Sequence, residues 1–66
     1  MINKKLEKFT SLCFKSRYEG LTEKQHLEKI NLANELVNDG IMINDDGMYN
    51  FVNKEDRKYF KNKLKK

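Results

Sequence analysis

Cysteine and histidine occur once each in this chain of 66 residues, proline and tryptophan not at all, and only two of the fourteen basic residues are arginine. Each shortage removes a class of explanation. A single cysteine, Cys13, cannot close an internal disulfide. Small secreted domains normally depend on such a staple, so a cytoplasmic protein is expected. One Cys and His26 cannot build a zinc site. The segment "NDDG" lacks the alternating carboxylates of a calcium loop, and no glycine-rich phosphate loop is present. No cofactor or metal is therefore expected. No apolar stretch approaches the roughly 20 residues of a membrane span. The opening "MINKKLEKF" has no apolar run after its lysines, so no signal peptide is expected either.

The same scarcity argues against catalysis. Cys13 lies on an apolar helix face and reads as a buried thiol; a nucleophile needs an accessible, electropositive site beside a base. His26 sits at the edge of an apolar stripe with no identifiable acid partner. A Cys13–His26 pair would lack a third group to orient it. The expectation is a non-enzymatic protein.

What is present suffices for one small domain over residues 1–66. Hydrophobic residues make up 38% and charged residues 36%, with seven aromatics, seven Leu and four Ile. That is enough for a small core, although a chain this short buries only about 60% of its unfolded surface. The preference for Lys over Arg, with eight Asn and one Ala, suggests an AT-rich genome such as that of a phage or mobile element.

Four elements follow from the punctuation. A helix is expected from about Asn3 to Glu19, with Ile2, Leu6, Phe9, Leu12 and Cys13 on one face and Gly20 at its end. A second helix starts at "TEKQ", where Thr22 and Gln25 can form a capping box. Its stripe is Leu27, Ile30, Ala33, Leu36 and Val37, and "NDG" stops it. The run "IMINDDGMYNFV" reads as a β-hairpin. A three-residue loop, Asp45-Asp46-Gly47, would pair Ile43 with Tyr49 and Ile41 with Phe51, placing all four on one buried side. A two-residue loop would pair Ile43 with Asn50 and mix the faces, so the alternation favours the longer loop. Finally Asn53 caps a helix from Lys54, docked by Tyr59, Phe60 and Leu64. The fold class is α+β, in the order ααββα.

The net charge of +4 is strongly segregated. Residues 1–18 carry five basic groups against Glu7, and residues 54–66 carry seven against Glu55 and Asp56. Residues 19–53 hold Lys24 and Lys29 against seven acids. On helical geometry Lys4, Lys8 and Lys15 share one sector of the first helix. Lys54, Arg57, Lys58, Lys61 and Lys65 share another on the last, opposite its apolar side. Were the two helices adjacent, these eight would form one basic face suited to nucleic-acid phosphates.

Two helices followed by a hairpin invite a winged-helix interpretation, but the charges oppose it. Glu28 and Glu35 lie on the outer face of the second helix and Asp45-Asp46 at the hairpin tip, the wrong sign for phosphate. With arginine, the usual guanine reader, so scarce, little base readout is expected. Phe14 and Tyr18 lie off the apolar face of the first helix, beside the lysines. They are either core on a second side or an aromatic patch for a protein partner, a homodimer seam or single-stranded bases. The expected function is a small basic nucleic-acid-binding regulator that contacts phosphate through its terminal helices. The alternative is a phage-type inhibitor or adaptor that binds an acidic protein surface through Phe14, Tyr18 and its charges. A membrane partner is not expected.

Overall fold

Each helix begins where a capping side chain can satisfy its first free amides. In the computed structural model, which describes residues 3–65, α1 spans Lys4–Tyr18, α2 Glu23–Asn38 and α3 Lys54–Leu64. Between α2 and α3 lie β1 (Met42–Asp45) and β2 (Met48–Phe51), giving the expected ααββα order. The Asn3 Oδ1 accepts from the Lys5 amide at 2.8 Å, and the Asn53 Oδ1 accepts from Glu55 at 2.8 Å. At α2 the capping box is complete: the Gln25 amide donates to the Thr22 hydroxyl, and the Thr22 amide donates to the Gln25 side chain. Such caps contribute about 1 kcal/mol each.

The exit from α2 is equally specified. Gly40 has φ 80°. Its amide donates to the Val37 carbonyl and the Ile41 amide to that of Leu36. This is the Schellman arrangement, which favours glycine at the left-handed position. It turns the chain directly into β1.

The hairpin register differs from the sequence expectation. Met42 pairs with Phe51, Ile43 with Asn50, Asn44 with Tyr49 and Asp45 with Met48. The loop is therefore the two residues Asp46 and Gly47, both with positive φ (53° and 88°). Asp-Gly is the preferred sequence for this turn, whose twist matches that of the strands it joins. Asn44 reinforces it by accepting from the Gly47 amide at 2.9 Å. Turn chemistry outweighs hydrophobic alternation here. Met42, not Ile43, enters the core at 3% exposure, while Ile43 remains 51% exposed. Gly47→Val is expected to destabilise by about 1–3 kcal/mol, because a β-branched residue resists positive φ. Urea unfolding by circular dichroism measures this, and an unchanged midpoint would contradict the turn assignment.

The core is Leu6 and Phe9 of α1, Leu32, Ala33 and Leu36 of α2, and Met42 of β1. Leu12, Cys13, Val37, Ile41, Phe51, Tyr59 and Phe60 pack against it, partly buried. Ile2, assigned to the same face from the sequence, lies outside the described residues. The buried stripe of α2 is rotated relative to the expected one. Leu32, absent from that stripe, is inside, whereas Leu27 and Ile30 are exposed. Helical periodicity identifies an apolar face, but neighbouring elements decide how much of it is covered. Thr10 is also buried and donates its hydroxyl to the Leu6 carbonyl.

The last helix is held by aromatics. Phe60 stacks on Phe9 with ring centroids 5.9 Å apart and meets Phe51 at 5.0 Å. It thereby joins α3 to both α1 and β2. No described residue of α3 is fully buried.

Candidate functional site

The outward face of α3 has the clearest chemical character. Helical spacing puts Lys54, Arg57, Lys58 and Lys61 on one sector, Lys65 follows just past the helix end, and all five are exposed. Together with Asn62 they line a shallow hollow along the helix. None of the five forms an ion pair among the described residues; the two ion pairs there belong to α1. These cations are therefore unpaired among the described residues and open to solvent. Glu55 and Asp56 occupy the first turn of α3, where the helix dipole favours acids.

The cations of α1 are arranged differently. Lys8 reaches across to Glu28 of α2 at 2.6 Å, and Lys5 to Asp39 at 3.1 Å. Part of the acidic middle segment thus balances the basic first helix. Lys4 is exposed and Lys15 half-buried. Lys4, Lys8 and Lys15 do not line the hollows that border the α3 stripe. There α1 contributes Arg17, which lines two hollows that adjoin the stripe. The sequence pattern gave no sign of this role. Arg17 falls outside the lysine sector of α1, and only the docking of α3 brings it to Arg57 and Lys61.

Three hollows meet at Lys61. One runs along α3. A second, of about 370 Å³, lies between β2 and α3 and is lined by Tyr49, Phe51, Phe60, Arg17, Arg57 and Lys61, among others. The third is bounded by Arg17, Tyr18, Lys61, Leu64 and Lys65. No carboxylate lines any of the three. A cluster of like charges without acids concentrates anions at the surface.

Phe14 and Tyr18 occupy the junction of α1 with α3. Their rings are 4.6 Å apart. Phe14 is half-buried beside Thr10, Tyr59 and Lys63. Tyr18 is 38% exposed and donates its hydroxyl to the Leu64 carbonyl at 2.9 Å. That bond satisfies a carbonyl at the open end of α3, so Tyr18 has a structural task. The Arg17 guanidinium lies over its ring, 5.8 Å from the centroid.

Cys13 is half-buried. Burial raises its thiol above the usual range, and nearby Lys29 offsets this in part. A thiol held protonated is a poor nucleophile. His26 is exposed on α2. Among the described residues no group of His, Cys, Asp and Glu side chains is arranged to hold a metal ion, and no helix is long and apolar enough to cross a membrane. Compared with protein-family models, curated proteins and solved structures, the chain matches none.

Proposed function

We propose that this protein is a non-enzymatic nucleic-acid-binding regulator that holds the phosphate backbone through α3 and Arg17. One observation carries the proposal: four cations share an exposed sector of α3, Lys65 follows just past its end, and none of the five is paired with an acid among the described residues. Like charges so placed repel one another and add nothing to folding, whereas a polyanion relieves the repulsion and releases its counterions. With Arg17 and Arg57 the only arginines, contacts to phosphate rather than base edges dominate. The expected behaviour is weakly sequence-selective and strongly salt-dependent.

A salt titration tests this. For about 5 phosphates neutralised, log K for a mixed-sequence duplex should fall with log salt at a slope of roughly −4 to −5. Absence of detectable binding to both duplex and single strand at about 50 mM salt would overturn the proposal.

A second reading, a phage-type inhibitor or adaptor that binds a host protein, is favoured by a different surface. Ile43, Met48 and Val52 lie on the outer side of the hairpin at 51%, 70% and 58% exposure. In that reading the α3 stripe would face an acidic protein. Recovery of a partner from host lysate that survives nuclease treatment would favour it.

A further inference from the structure

The hollow between β2 and α3 differs from the rest of the basic surface, because three aromatic residues, Tyr49, Phe51 and Phe60, line it beside the cations. Phe51 and Phe60, half-buried and tilted at 49° to one another, line it together with Arg17, Arg57 and Lys61. Tyr49 forms one side. Its hydroxyl donates to the Asn34 Oδ1 at 3.0 Å, which fixes the ring in position while leaving the residue 37% exposed.

The strand edge at this hollow is also open. The Val52 amide donates to the Ile41 carbonyl, which makes this pair a hydrogen-bonded one. By alternation, Ile43 with Asn50 and Asp45 with Met48 are hydrogen-bonded pairs too. Tyr49 and Phe51 then direct their amides and carbonyls away from β1, along the free edge of β2. Neither backbone has another hydrogen-bond partner among the described residues.

We infer that this hollow receives an unpaired base of a single-stranded nucleic acid, while the flanking phosphates rest on Arg17, Arg57 and Lys61. The inference builds on the phosphate-binding function proposed above and narrows its ligand. The base finds aromatic faces to stack on and backbone donors and acceptors at its edge. The sugar–phosphate chain finds cations contributed by both α1 and α3. A volume of about 370 Å³ is that of a small-molecule cleft, enough for one base and its sugar but far too small for a duplex. Paired and stacked bases could not reach the aromatic lining, and a duplex would engage only the cations.

The test is fluorescence anisotropy with labelled 12-residue oligo-dT and oligo-U, and with a duplex of equal length, at about 50 mM salt. Single strands of one or both sugars should bind about tenfold tighter than the duplex. Tyr49→Ala should remove most of that preference, since loss of a stacking aromatic lowers single-strand affinity about 5- to 100-fold. Tyr49→Phe keeps the ring and should retain the preference, which separates stacking from loss of the Asn34 bond. Circular dichroism melting checks that both variants fold. Quenching of tyrosine fluorescence by oligo-dT but not by inorganic polyphosphate gives an independent readout on the unmodified protein. Equal affinity for duplex and single strand, with no quenching, would overturn the inference while leaving the phosphate-binding function standing. Binding to neither, with retention of an acidic peptide instead, would overturn both.

Discussion

Replacing Leu36 by alanine is expected to lower stability by about 3 kcal/mol, the low end of measured losses at fully buried leucines. Leu36 is 0% exposed. It stands where α2 meets Leu6 and Phe9 of α1 and Met42 of β1. Its carbonyl also accepts the Ile41 amide that turns the chain into the hairpin, so the cavity left by truncation lies beside a fixed backbone and cannot easily collapse. Total stability for a domain of 66 residues is roughly 3–10 kcal/mol. The variant should therefore melt about 15 °C lower or fail to fold. Leu27→Ala on the same helix is the contrast. At 56% exposure it should cost less than about 1 kcal/mol. Similar melting temperatures for the two variants would show the core misplaced.

Replacing Arg57, Lys58 and Lys61 together by glutamine is expected to act on binding instead. Each phosphate contact contributes about 0.9 to the salt slope for duplex DNA, so the slope should flatten by roughly 2–3. Extrapolated from 1 M salt, that corresponds to about 100-fold weaker binding or more near 0.1 M. None of the three forms an ion pair among the described residues, and exposed charges contribute little to folding. The melting temperature should be unchanged or slightly raised by the relief of repulsion. A variant that loses stability but keeps its affinity would remove α3 from the binding surface.

The two sets of residues differ in how far the sequence revealed them. Thr22 with Gln25, Asn53 and Gly40 marked helix ends correctly, because capping acts within a few residues and needs no knowledge of the fold. The α3 stripe was legible for the same reason: helical spacing alone places four of its five cations together. The hairpin register was not, because two local rules conflicted. Alternation wanted Ile43 and Tyr49 opposite one another, whereas Asp46-Gly47 demanded a two-residue turn. Positive φ at both turn residues decided the outcome, at the expense of leaving Ile43 outside. The exposure of Leu27 and Ile30 was hidden for a different reason. Coverage depends on which neighbours reach α2, and those contacts are tertiary. Arg17 belongs to the same class: its association with Arg57 and Lys61 exists only once α1 and α3 have docked.

The way α3 is attached has a consequence for motion. It is anchored by the half-buried Tyr59 and Phe60 and by the Tyr18–Leu64 bond, with no fully buried residue of its own. In a folded domain the segments with fewest buried contacts open first, at a fraction of the global unfolding free energy. Here that segment also carries the largest concentration of unbalanced charge, which favours its release at low ionic strength. The helix can breathe away from Phe9 and Phe51 while α1, α2 and their shared core remain closed. An anion bound along the stripe would oppose this opening, so occupancy of the surface and local order of the last eleven-residue helix would rise and fall together.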